Sequence, residues 1–254
     1  MYKRELVVMP SDASCNGELK LRSLLDYFQD TAALAVNDIE GTSTELASRG
    51  YAWILRNYEI EFVGKLPSLD EEFFIHTAHD PKHGFNCLRI FRVFDAHENL
   101  IVDAKSSWLL FDLTAQRPVK PSVHLPEILT RDNIDVEPDF QAIDQIMNHD
   151  HDLEIERKVA FHDLDVNSHV NNAAYFEWIF ESTPLDLMTC SPKHINASFR
   201  SGIRWGDKVR INIARLDDKN FAYNIMNLSH VDDKVHKKPS AEFFCEWHLP
   251  GRSD

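Results

Sequence analysis

The strongest constraint on the fold is a plan that the chain uses twice. Asp12-x-x-x-Asn16 and Asp163-x-x-x-Asn167 stand 151 positions apart, each after a strand-like run and just before a helix-like one. Glu61-Phe62, Leu66 and Asp70 match Ser198-Phe199, Ile203 and Asp207 at a shift of 137. Self-similarity in a fixed order marks repeated structural units. The smaller second shift means that the first half carries extra residues between its anchors.

In the first half a strand is predicted over Tyr2–Met9, followed by a polar turn through Gly17. Leu21, Leu24, Leu25, Phe28, Ala32, Ala35 and Val36 then recur at helical spacing. A second short helix should begin at Thr42, with Glu45 completing a capping box, and end at Gly50. After it the period becomes two, through Trp53 and Leu55 and then Tyr58, Ile60 and Phe62, with further strands at Glu71–Ala78, Phe85–Asp95 and Leu100–Asp112. The second half repeats the order: a strand over Glu154–Phe161, a helix with Tyr175, Trp178, Ile179 and Ser182 that Pro184 stops, then strands near His194–Ser201, Lys208–Leu216, Phe221–Ser229 and Ala241–Leu249. Turns are expected at Asp80–Gly84, Asp217–Asn220 and Asp232-Asp233. Helices set against repeated antiparallel strands give an α+β class. The expected domains are residues 1–113 and 153–254. Residues 114–152, with Pro118, Pro121, Pro126 and Pro138, read as a linker with a short helix near Phe140–Met147.

Composition removes several function classes. A net charge of −14 opposes binding to nucleic acid or to anionic membrane. No apolar run approaches the roughly 18 residues of a membrane span, and the first residues do not read as a signal peptide, so a cytoplasmic protein is expected. Cys15, Cys87, Cys190 and Cys245 lie far apart and the histidines show no metal-ligand spacing, so neither a metal nor another cofactor is expected. His76, His79, His124 and His149 are expected at solvated positions, and Trp108, Trp178, Trp205 and Trp247 in the core. There is no Gly-x-Ser-x-Gly elbow.

The chemistry-bearing segment is Phe161-His162-Asp163-Leu164-Asp165-Val166-Asn167-Ser168-His169-Val170-Asn171-Asn172. Asp165, Asn167 and His169 are two apart, so an extended loop would turn them to one side. Asn171 or Asn172 can cap the following helix. That pattern suits thioester hydrolysis: a helix N-terminus steadies an oxyanion, a carboxylate or imidazole takes a proton from water, and an amide orients it. Loops before helices also hold Asp and Asn for turns and caps alone.

The run Asp163–Asn172, continued by Tyr175-Phe176-Glu177-Trp178-Ile179-Phe180-Glu181-Ser182, closely resembles the signature of plant and bacterial acyl-acyl carrier protein thioesterases. Leu24-Leu25-Asp26-Tyr27-Phe28-Gln29-Asp30, Arg49–Leu55 and Ser107-Trp108 are similar to landmarks of the family's first half. The resemblance implies two tandem hotdog domains, each a long helix wrapped by a curved antiparallel sheet. It implies release of fatty acid from acyl carrier protein, with Asp165, Asn167 and His169 as the catalytic set. Asp165 and His169 would share the proton and the water, and Asn167 would orient them. Where the family often has Glu, or Glu-Cys in plants, after the catalytic helix, this chain has Gly202. The first-half loop has Ser14, Asn16 and Glu18 at the three catalytic positions, so that half is expected to hold the acyl tail through Leu25, Phe28, Ala32, Trp53 and Leu55. A basic face from Lys193, Arg200, Arg204, Lys208, Arg210, Lys234, Lys237 and Lys238 is expected to meet the acidic carrier. An acyl-CoA thioesterase, a non-catalytic acyl-binding regulator and a hydratase or dehydratase are the alternatives, and a homodimer remains possible.

Overall fold

The computed structural model describes residues 1–37, 42–130, 137, 139–140, 151–183, 190–229 and 238–248. The chain divides into two compact units, Met1–Phe140 and Gln141–Asp254. The first contains β1 (Tyr2–Val7), α1 (Leu21–Leu34), α2 (Ser43–Ser48), β2 (Tyr51–Phe62), β3 (Glu72–His83), β4 (Asn86–Asp95), β5 (Leu100–Asp112), β6 (Arg117–Val119) and α3 (Pro121–His124). The second contains β7 (Leu153–Lys158), α4 (Asn172–Glu181), β8 (Ser191–Phe199), β9 (Lys208–Arg215), β10 (Asn220–Asn227) and β11 (Ala241–His248).

The repeat is realised strand for strand. The first unit's antiparallel sheet has the order β1-β3-β4-β5-β2, and the second unit's has β7-β9-β10-β11-β8. Each unit's helix lays its apolar face on its own sheet. Phe28 of α1 stacks on Phe91 with ring centroids 4.5 Å apart, and Phe176 of α4 meets Phe243 edge-on at 5.1 Å. These large rings are fully buried and dominate the two cores.

Local chemistry sets the element ends. Thr42 caps α2 in a reciprocal box with Glu45, and the chain leaves through Gly50 at φ +80°, a conformation open to glycine. The break in phase between Leu55 and Tyr58 is a bulge in β2, where the pairing with β5 shifts register. The turn placed at Asp80–Gly84 starts later: β3 runs on to His83 through an irregularity after Asp80.

Two expectations need correction. After β2 and β8 the equivalence shifts by one, to 136. Leu19 N–H donates to Pro67 O as Val170 N–H donates to Ile203 O, and Glu71 accepts from Ser68 N–H as Asp207 accepts from Arg204 N–H. Glu71, not Asp70, is therefore the counterpart of Asp207. Second, much of the expected linker folds onto the first unit. β6 pairs with β5, and Val119, Leu125 and Ile128 pack with Leu46, Cys87 and Leu110. Of the short helix expected near Phe140–Met147 all but Phe140 falls outside the described residues, as do the stop at Pro184 and the Asp232-Asp233 turn. No described helix is long and apolar enough to cross a membrane.

Candidate active site

The loop between β7 and α4 is built on Asp163. Its carboxylate is buried and accepts from Ala160 N–H at 2.7 Å and from the Trp178 indole N–H at 3.3 Å. Asp12 does the same work in the first unit, accepting from Met9 N–H at 3.2 Å and from the Tyr27 hydroxyl at 2.6 Å. The repeated aspartate is thus a structural anchor that ties the end of the first strand to the helix.

From that anchor the chain makes a tight turn rather than an extended run. Asp165 N–H donates to His169 O at 2.7 Å, Ser168 N–H donates to Asp165 O at 3.1 Å, and Ser168 adopts φ +61°. Asp165 Oδ1 accepts from the backbone N–H groups of Asn167 and His169, at 2.8 and 3.1 Å, and Oδ2 accepts from Asn167 Nδ2 at 3.3 Å. The structure therefore brings the Asp165 and Asn167 side chains together, but joins His169 to them through its main chain. The two-residue spacing does not align all three, because the loop closes on itself.

The His169 imidazole goes to the opposite wall. Residue 169 bridges Arg204, and the ring lies against Gly202: a Cβ built on Gly202 would stand 2.7 Å from His169 Cδ2 and 3.3 Å from Nε2. Among the described residues neither imidazole nitrogen is hydrogen-bonded, so both remain available to water or substrate. Asn171 caps α4 by accepting from Ala173 N–H at 2.9 Å. The N-terminal end of α4, with its positive dipole, thus follows the loop directly.

Sequence reasoning did not assign Gly202 as the seat of the imidazole, nor Tyr175 to the site. Tyr175 lies on the first turn of α4, buried beneath the loop. Burial holds its phenol well above the ordinary range, opposed by a backbone hydrogen bond from Ile203 and reinforced by the Asp165 charge. It stays protonated and cannot serve as a base. Its place four residues after the cap was the available signal.

Other candidates separate clearly. Leu25, Phe28 and Leu55 are buried in the first unit, while Ala32 and Trp53 are half-buried. Trp178 and Trp247 are core residues as expected, but Trp205 is 68% exposed, because it occupies a tight turn held by Asp207. His79, expected at the surface, is buried and bonds Ile128 O at 3.1 Å. The expected basic face is neutralised in part: Lys193 pairs with Glu246, Arg200 with Glu242 and Arg210 with Glu154 and Glu156, while Arg204 and Lys208 are exposed and form no ion pair among the described residues. Lys234 and Lys237 fall outside the described residues, and Lys238 is exposed. Cys87 and Cys245 are buried, and burial pushes the Cys87 thiol up to about 12, far from a thiolate nucleophile.

The family model for the acyl-ACP thioesterase N-terminal domain matches residues 1–129, and that for the acyl-ACP thioesterase C-terminal domain matches residues 146–248. A chloroplast acyl-acyl carrier protein hydrolase of Cuphea viscosissima is 23% identical over 209 residues, covering 74% of this chain and 48% of that protein. A palmitoyl-acyl carrier protein thioesterase of Arabidopsis thaliana is 23% identical over 208 residues, with the same coverage. The chain spans about half the length of these curated relatives. Among solved structures, an acyl-ACP thioesterase of Bacteroides thetaiotaomicron superposes with a TM-score of 0.79 at 18% identity, covering 97% of both chains. The 12:0-ACP thioesterase of Umbellularia californica gives 0.81 at 16% identity, covering 97% of this chain and 96% of that one. Those likenesses identify the fold as the one expected, and the two family models, which together span most of the sequence, make this chain a member of the acyl-ACP thioesterase family.

Proposed function

We propose that the protein hydrolyses fatty acyl thioesters of acyl carrier protein and releases the free fatty acid. The observation that carries this reading is the open imidazole of His169, set on Gly202, in a loop whose Asp165 carboxylate holds the Asn167 amide and the His169 main chain. His169 takes a proton from water as the oxygen attacks the thioester carbonyl carbon. The N-terminal end of α4 steadies the resulting oxyanion. The C–S bond then breaks, and the leaving thiolate receives the proton from His169. Asn167 orients the water or the carbonyl, while Asp165 positions the other two. This division of labour follows from the carboxylate being engaged by loop N–H groups while the ring is not.

For the acyl tail we infer the α1 side of the first unit. Ala32 and Trp53 retain surface that a ligand can cover, whereas Leu25, Phe28 and Leu55 are already enclosed and would shape that surface from behind.

The test is fatty acid release from acyl carrier protein and CoA thioesters of several chain lengths. His169→Ala and Asn167→Ala should each lower kcat on the order of a hundredfold, the scale of a general acid–base or orienting contribution, with unchanged thermal unfolding. Ala32→Phe should move the preferred chain to shorter lengths. Turnover of CoA thioesters alone would reassign the substrate, and near-normal turnover in both loop variants would reject the site.

A further inference from the structure

The second unit's loop carries an unusual surface. Phe161 at its foot is 73% exposed, Val166 at its tip 86%, and Trp205, next to the residue that bridges His169, 68%. The strand ends and the turn that flank this loop carry three exposed cations, Lys158, Arg204 and Lys208, none of which forms an ion pair among the described residues. Lys158 and Lys208 are direct cross-strand partners at the end of the β7–β9 ladder. Like charges placed opposite each other weaken a sheet, so folding gives no reason for this pair.

The duplicated unit is an internal control. The first ladder ends on Val7 and Glu72 where the second ends on Lys158 and Lys208. By the same hydrogen-bond register, Pro10, Cys15, Ser68 and Leu69 replace Phe161, Val166, Arg204 and Trp205. The first unit also exposes apolar side chains there, Val7 and Leu69, but beside the acidic Glu72 and with neither an aromatic ring nor a cation at the equivalent positions. The aromatic and cationic surface occurs on the unit whose loop carries Asp165, Asn167 and His169.

We propose that Phe161, Val166 and Trp205, with Lys158, Arg204 and Lys208, form the docking face for the acyl carrier protein. This rests on the hydrolytic reading above and gives that reading a location for its partner. The cations draw in an acidic helix despite the chain's net charge of −14, and the apolar side chains cover the apolar residues between that helix's carboxylates. Docked there, the carrier delivers its thioester beside His169.

The experiment titrates holo-acyl carrier protein into the full chain and, separately, follows hydrolysis of a small acyl-pantetheine thioester. Trp205→Ala and Lys158→Glu should each weaken carrier binding about tenfold or more, as loss of an interface anchor does, and leave the small thioester's turnover unchanged. Lys158→Glu should also raise Tm, since it turns the repulsion with Lys208 into attraction. A structural role would move stability and binding together; a docking role moves them apart. Unchanged carrier affinity, equal losses on both substrates, or conversion of a dimer to a monomer by Trp205→Ala would overturn the proposal. A wild-type chain that binds the carrier at this face without hydrolysing its thioester would instead overturn the catalytic reading and leave the docking face standing.

Discussion

Gly202 shows how one missing side chain can set a site. Its backbone does not require glycine, since it is not among the glycines with positive φ; the requirement is room for the His169 ring. A side chain at this position would take the space that the imidazole occupies. Gly202→Ala should leave the fold intact but displace the ring, because a Cβ 2.7 Å from Cδ2 forces one of the two to move. We expect kcat to fall about ten- to a hundredfold, as misplacing a reacting group does, with the unfolding transition little changed. Full activity would mean that the ring is free to settle elsewhere. The sequence made the departure at Gly202 visible, yet not its reason, because the contact joins a loop to a turn on the far side of β8. Asp165, Asn167 and His169 were legible as a polar cluster, but the closure that turns the ring away from the carboxylate depends on main-chain bonds that residue types do not announce.

At the scale of elements, the paired anchors Asp12 and Asp163 fix where each helix starts. Each removes a backbone N–H and an aromatic donor from competition with water. Asp163→Ala strands the Trp178 indole N–H in the core and should cost roughly 1–3 kcal/mol, read as a lower Tm. Asp12→Ala should destabilise in the same way, through Tyr27 and Met9, but leave kcat intact. Loss of turnover in the Asp12 variant at a temperature where it stays folded would contradict that separation. These anchors explain why the duplication could be read at all: short-range bonds demand the same residue in both copies. A strand such as Tyr2–Val7 was equally plain, since alternation follows burial. What alternation hides is a change of phase. The bulge after Leu55 reverses which residues face inward, and the single residue dropped between Ser201 and Ile203 shifts the register that Leu66 and Asp70 suggested. The proline-rich stretch after Asp112 was misleading because prolines suit a linker and also a short edge strand such as β6.

At the scale of the whole molecule, duplication supplied two loops of one geometry, and the second carries an imidazole that forms no hydrogen bond among the described residues. Ser14 N–H donates to Glu18 O and Gly17 N–H donates to Ser14 O, repeating the bonds around Asp165 and His169. The side chains differ in what they are free to do. Glu18, standing where His169 stands, pairs with Lys65 at 3.3 Å and accepts from Asn16 Nδ2 at 3.3 Å. Ser14 bonds both Asn16 and the Glu18 carbonyl. This loop engages its polar side chains with one another and with Lys65, whereas the proposed catalytic loop leaves its imidazole open. Glu18→Ala should therefore leave fatty acid release unchanged in the wild-type background, and it should leave His169→Ala no less active than before. Steady-state kinetics on the same acyl carrier protein thioester decide the matter. If Glu18→Ala lowered kcat as far as His169→Ala does, the two loops would be acting as one site, and the assignment of catalysis to the second unit alone would fall.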